Sequence, residues 1–186
     1  MNKLQKLFGH FKTITKHRHQ VIKNCKKAGI LCQGLKHDLS KYSPTEFVPG
    51  VKYYTGTRSP NEGERRAIGY SKAWMHHKGR NKHHYEYWHD INTQTKEYDF
   101  KPMPYNYLAE MFCDRVAASK IYKGKEYVDS DPLNYFMGGH AKAMMSPETA
   151  GDLEELLRML AERGEKETFK YLKAEIKKRK KEKQNG

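Results

Sequence analysis

The stretch KLQKLFGHFKTITKHRHQVIKNCKKAG, residues 3–29, decides the fold class. Leu4, Leu7, Phe8, Phe11, Ile14, Val21, Cys25 and Ala28 recur at intervals of three and four, the period of one helix face, and Gly29 ends the run. One amphipathic helix over 3–28 follows. Polar residues that interrupt its stripe then become informative. Position 17 carries the run from Ile14 to Val21 and is a histidine, so His17 is expected to point inward. His19 lies about 200° further round and is expected in solvent.

The same spacing returns along the chain. SPNEGERRAIGYSKAWMHH opens with Ser59 as N-cap, Pro60 at the first helical position and Glu62 closing a capping box. PYNYLAEMFCDRVAASKIY, residues 104–122, reads as a helix stopped near Gly124. SPETAGDLEELLRMLAERG repeats the Ser-Pro start at Ser146-Pro147 and stops at Gly164, and a last helix follows. No alternating strand pattern exceeds a few residues, Tyr53-Tyr54 and 92–103 read as loops or turns, and no internal repeat is present. The expectation is an all-α protein of about six or seven helices in a single domain.

Composition narrows the class. The chain has 186 residues, enough for one domain with a core, but only 37% are hydrophobic, so Tyr, Phe, Met and Trp must fill much of it. No apolar run approaches the roughly 18 residues of a membrane span, and no secretory signal opens the chain. Cys25, Cys32 and Cys113 are odd in number and lack CxxC spacing. They read as reduced thiols, which points to a cytoplasmic protein without a membrane partner. The net charge of +14 attracts polyanions, nucleic acid among them. Much of that charge lies in KAEIKKRKKEKQNG, residues 173–186, of which 177–186 reads as a solvated basic tail.

The chemistry lies in the residues that break the apolar stripes. In 104–122 the stripe runs Tyr107, Met111, position 114, Ala118, Ile121, and position 114 is Asp114. Arg115 points about 100° away and is a poor partner for it. In the third helix Ala67, Tyr70 and Trp74 lead to His77. If helical phase survives Gly79-Arg80-Asn81 it continues to His84, Trp88 and Ile91, with His76 and His83 as the adjacent alternative. A half-buried pair, His37-Asp38, sits in GLKHDLSKYSPTEF, residues 34–47. An ionised carboxylate on an apolar face is costly without a cation. Imidazoles and carboxylates together suit a first-row transition metal. His17, His37, Asp38 and Asp114 make one set of ligands, and His77 and His84 with a bridging Asp38 make a second. The expected cofactor is one or two divalent ions: Mn, Fe, Co, Ni or Zn, with Mg also admitted.

The order His17, His37-Asp38, Asp114 resembles the HD-domain superfamily of metal-dependent phosphohydrolases, over about residues 10–125. HDLSK (37–41) resembles the HDxGK form of the cyclic-di-nucleotide phosphodiesterase branch, HHYE (83–86) is similar to its HHE element, and CDRVAAS (113–119) to its last aspartate. The GYP element of that branch is missing, so its substrate does not carry over. HDLSKYSPTEF and HHKGRNKHHYEYW together also resemble an uncharacterised bacterial and phage family. The resemblance implies an HD-type helical domain over 1–176, with a C-terminal helical pair at 146–176. It implies a phosphomonoesterase or phosphodiesterase acting on a nucleotide or related phosphate ester. On that footing Asp38 and His37 hold metal, Asp38, His76 and His83 are catalytic candidates, and Lys41, Arg80, Arg115 and Lys120 are candidates to bind substrate phosphate. Trp74, Tyr85, Tyr87 and Trp88 fill core or stack a base. Two other classes compete: a di-iron oxygenase on the same scaffold, and a non-enzymatic basic protein that binds nucleic acid.

Overall fold

A computed structural model describes residues 1–185; Gly186, the last residue of the expected tail, lies outside them. The described residues form α1 (Lys3–Ala28), α2 (Leu31–Lys36), α3 (Pro44–Lys52), α4 (Pro60–Ile68), α5 (Lys72–Lys78), α6 (Tyr105–Lys123), α7 (Asp131–Gly138) and α8 (Pro147–Asn185). The protein is all-α, apart from a hairpin in which β1 (His89–Ile91) pairs antiparallel with β2 (Tyr98–Phe100). No helix among the described residues is long and apolar enough to cross a membrane.

The core forms around α6, which is buried on nearly every side through Leu108, Ala109, Met111, Phe112, Cys113, Val116 and Ala117. A helix buried on so many sides belongs in the middle of a fold, and its polar positions, Glu110, Asp114 and Arg115 among them, then need partners there. Val21, Cys25 and Ala28 of α1 and Leu153, Leu157, Leu160, Phe169 and Leu172 of α8 close over it. The Phe112 ring meets Phe169 edge-on at 5.7 Å. Two helix ends read from the sequence hold in detail. Ser146 accepts from the Thr149 amide at 3.2 Å at the start of α8. Gly164 breaks α8 with φ 74 and ψ 173, a left-handed backbone that glycine adopts without a Cβ clash. Beyond the break, Glu165 pairs with both Lys27 and Lys120.

Three expectations need correction. The apolar stripe of α1 is buried only in its second half: Leu4, Phe8 and Phe11 are 64%, 67% and 49% exposed, while His10, Ile14, His17, Val21, Asn24, Cys25 and Ala28 face inward. His10 takes the place expected of the phenylalanines because α3 leaves room for it. A Cβ on Gly50 would stand 2.3 Å from His10 Nε2, so only glycine admits the ring. Next, residues 59–78 are two helices. Gly69, at φ 84, ends α4, and Ser71 caps α5 by accepting from the Trp74 amide at 3.0 Å. Ser59 makes no side-chain cap, and Glu62 pairs with Arg66 at 2.9 Å instead of closing a capping box. Lastly, α8 continues through the segment read as a tail, where Arg179 reaches Asp152 at 2.9 Å and lies 3.9 Å over the Tyr105 ring.

Candidate metal centre

Four segments meet at one point. α1 supplies His17, the turn after α2 supplies His37-Asp38, α5 and the loop behind it supply His77, His83 and His84, and α6 supplies Asp114. Asp38 stands at the centre with φ 53 and ψ 26, a left-handed conformation unusual for a residue other than glycine. Backbone strain of this kind costs about 1–3 kcal/mol and persists where the surroundings impose it. It lets the Asp38 carboxylate turn inward at the head of the Leu39–Tyr42 turn, where it is 2% exposed.

The Asp38 oxygens face two groups of imidazoles. Oδ2 is 3.2 Å from His37 Nε2; Oδ1 is 3.2 Å from His77 Nε2 and 3.4 Å from His83 Nε2. On the other flank Asp114 Oδ1 is 2.9 Å from His17 Nε2 and 3.6 Å from His37 Nε2. These are close approaches without hydrogen-bond geometry. The Nε2 atoms of His17, His37, His77, His83 and His84, and Asp38 Oδ1, are all buried and lack a hydrogen-bond partner. Buried polar atoms are ordinarily satisfied, and here several unsatisfied ones converge.

The far side of these rings explains the convergence. His37 Nδ1 donates to Glu110 Oε1 at 2.8 Å, and His83 Nδ1 lies 3.2 Å from the same oxygen. His77 Nδ1 donates to Glu46 Oε2 at 2.8 Å. An ionised carboxylate can only accept, so His37 and His77 each hold a proton on Nδ1 and aim Nε2 at the centre, where its lone pair becomes free once Nε2 gives up its proton to an incoming metal ion. Carboxylates placed behind imidazoles in this way orient metal ligands. Three donor sets result: His17, His37 and Asp114 on one side, Asp38, His77, His83 and His84 on the other, and His37 and His83 with Glu110 behind them. In each set the ligand atoms lie within 4.8 Å of one another, close enough to hold a metal ion.

A family model described as a family of unknown function, DUF5662, matches residues 6–159. The chain belongs to DUF5662. No curated protein and no solved structure matches it. Every donor of the centre falls inside the matched span, and the Arg179 contact falls outside it.

The electrostatics of this DUF5662 chain divide the histidines. Burial would push Asp38 up, but His37, Lys41 and His77 hold it well below the usual carboxylate range. Asp114 is likewise held well below, burial being outweighed by His17 and His37. Glu110 is lowered to about 2 by its hydrogen bonds from His37 and His83, against burial. His37 and His77 are raised, since Asp38 overrides the burial that disfavours their charge. His84 and His17 are lowered, chiefly by burial. A metal ion would compete with protons at His37 and His77 and find His17 and His84 already neutral.

The expected phosphate-binding cations part company. Lys41 lines the cleft beside the centre, its ammonium 2.6 Å from Asp38 Oδ2. Arg115 lines the main cavity of about 620 Å³, its guanidinium 5.4 Å over Phe136 and its Nε buried without a partner. Arg80 is exposed and its guanidinium reaches the His76 carbonyl, away from the centre, and Lys120 is tied to Glu165. Of the expected proton donors, His76 turns to Glu46 Oε1 at 2.7 Å. His83 sits within the donor set, 2% exposed. Of the expected aromatics, Trp74 and Tyr85 reach the cleft, and Trp88 packs on the core. The residues that sequence reading missed are Glu46 and Glu110. Glu110 lies one turn before Asp114 in α6, so an i, i+4 pair of acids was the available signal.

Proposed function

We propose that this DUF5662 protein is a metal-dependent phosphohydrolase whose centre is built from His17, His37, Asp38, His77, His83, His84 and Asp114. One observation carries the reading: buried imidazole nitrogens without partners converge on Asp38 and Asp114, with Glu110 and Glu46 fixing the rings from behind. The resemblance of the His17, His37-Asp38, Asp114 order to the HD-domain phosphohydrolases points the same way. A divalent ion at such a centre supplies Lewis acidity toward a phosphoryl oxygen and acidifies water. The chain's own part is to hold, shield and neutralise. Glu110 and Glu46 keep the imidazoles in register, and the burial of Asp38, His37, His77 and His83 strengthens each charge interaction. Lys41 and Arg115 present cations at the cleft, where a phosphate ester would meet them.

Elemental analysis of purified protein, followed by assays of phosphomonoesters and phosphodiesters with Mn²⁺, Mg²⁺, Co²⁺ and Ni²⁺, tests this. Bound transition metal and metal-dependent hydrolysis are expected, both lost in Asp38→Ala. Stoichiometric metal in Asp38→Ala, or no turnover of any ester by the loaded protein, would overturn the reading.

A further inference from the structure

α1 carries Lys3, Lys6, Lys12, Lys16, Arg18, Lys23, Lys26 and Lys27 and no acidic residue. Its ion pairs among the described residues are His17 with Asp114 and Lys27 with Glu165. Lys12, Lys16, His19 and Lys23 are exposed and follow each other at three and four residues, so they stand on one face. That face borders a groove of about 510 Å³ between α1 and the end of α6, with Phe11, Thr15 and Ile121 as its floor. The groove does not end blindly. A hollow of about 370 Å³ shares Lys12, Lys16 and Ile121 with it and continues to Thr57 and Tyr122. Those two residues also border the main cavity, where Asp114 and His84 reach the surface. A cationic groove therefore leads from open solvent into the metal centre.

We propose that this groove is a track for single-stranded nucleic acid, whose phosphates run along Lys12, Lys16 and Lys23 while one end or linkage enters the metal cleft. The proposal rests on the phosphohydrolase reading and names its substrate as a polynucleotide rather than a free nucleotide. From Lys12 to Lys23 the track covers about 16 Å of helix axis at 1.5 Å per residue. Lys12 and Lys16 stand about 6 Å apart along the helix axis, within the screening length of about 8 Å at physiological salt, and Lys23 follows about 10 Å further on, so the track is densest in charge at its end nearer the cleft. An apolar floor beside a row of cations is the arrangement that holds single strands, with bases on ring faces and the backbone on charge. Phe11 and Tyr122 are 49% and 57% exposed along this path and offer such faces. The same exposure of Phe11 is the departure from the expected α1 stripe, and the track gives it a use. The cleft at the end of the track is walled by Trp74, Tyr122 and Tyr135, further ring faces on which the bases of a single strand can stack.

The test compares two triple variants of the full chain with equal loss of charge. One is Lys12→Gln, Lys16→Gln, Lys23→Gln; the control is Lys177→Gln, Lys180→Gln, Lys181→Gln. Binding of a fluorescent oligothymidylate of about twelve nucleotides is followed by anisotropy in EDTA over a range of salt. Hydrolysis of bis-p-nitrophenyl phosphate is followed with Mn²⁺. Each lost phosphate contact lowers the salt slope by about 0.7, so the track variant should bind with a slope shallower by about 2, and the control should match wild type. Both variants should hydrolyse the small ester like wild type. Equal slopes in the two variants would overturn the track, as would binding of anionic phosphatidylserine vesicles with no binding of the oligonucleotide. Failure of every form to hydrolyse the small ester sinks the phosphohydrolase reading instead, and the slopes still decide the track.

Discussion

Two faces of α6 can be set against each other. On one, Leu108, Phe112 and Val116 are fully buried against α1 and α8. On the other, Met111, Asp114, Arg115 and Ala118 wall the cleft. One helix serves as the centre of the core and as one wall of the site, so the dry face fixes where the polar face stands. A ligand on so constrained an element has little freedom to drift, which is what a metal centre requires. The polar face in turn depends on what fills the cleft, and the dry face does not. That asymmetry is open to experiment.

The largest effect is expected on the dry face. Phe112→Ala should cost about 3–5 kcal/mol in urea unfolding, by the same amount with and without added metal. A cost that depends on metal would mean the two faces are coupled. On the cleft face, Asp114→Asn should leave the metal-free protein folded and reduce the rise in Tm on adding Mn²⁺, leaving what the Asp38, His77, His83 and His84 set supplies. In wild type that rise corresponds to about 2.7 kcal/mol at roughly one hundred times Kd. An unchanged rise would remove Asp114 from the ligand set. Glu110→Gln is the sharper probe, because it touches the imidazoles from behind. It should weaken metal binding by about tenfold to a hundredfold in calorimetric titration. Affinity equal to wild type would show that His37 needs no carboxylate to orient it.

The smallest effect is in pH dependence, measured on metal-free protein. Asp38, Asp114 and Glu110 have depressed pKa values, so their contribution is present above about pH 4 and lost as pH falls toward the value of about 2 at Glu110. His37 and His77 are raised, so theirs is present below about pH 6.5 and lost as pH rises through their folded values. Stability without metal should therefore decline on the alkaline side, and Mn²⁺ should remove that decline while releasing protons. Phe112→Ala should lower the whole curve without changing its shape. A metal-free protein that gains stability between about pH 6 and 9 would contradict the assignment of charge to His37 and His77.

Periodicity made the helices legible, but it did not tell which face of a helix is dry. The stripe Tyr107, Met111, Asp114, Ala118 looks like a core face because its members are mostly apolar, yet only Tyr107 and Met111 pack on the core, while Met111, Asp114 and Ala118 border the cleft and Leu108, Phe112 and Val116 are the fully buried positions. Phe8 and Phe11 mislead for the same reason: hydrophobicity marks a face that wants cover, and His10 is buried against Phe47 and Gly50 in their stead. The break at 69–71 could be read locally, since Gly69 ends α4 and Ser71 caps α5. His84 reaches the centre although the helical phase that pointed to it fails, because the loop after Lys78 turns back on α5 and Asn81 ties it there through Ser40 and the His77 carbonyl. Glu110 had a local signal in its i, i+4 spacing to Asp114, but Glu46 had none, because an acid behind a histidine of a distant segment follows no spacing rule. Contacts of that kind exist only after folding.

The bond from Lys27 to Glu165 spans 138 positions of the chain. Val21, Cys25 and Ala28 share a core with Phe169 and Leu172, so the first helix completes its burial only when the last one arrives. Closing such distant partners requires ordering the whole intervening chain before the contacts repay it, which slows folding relative to a bundle of neighbours. On the ribosome, α6 can cover the apolar half of α1 first, and the segment beyond Gly164 completes that cover when Phe169 and Leu172 have emerged. Assembly of the core is thus finished only after Phe169 and Leu172 have been made, and a chain cut before Phe169 keeps His17, His37 and Asp114 but lacks part of the cover over Val21, Cys25 and Ala28.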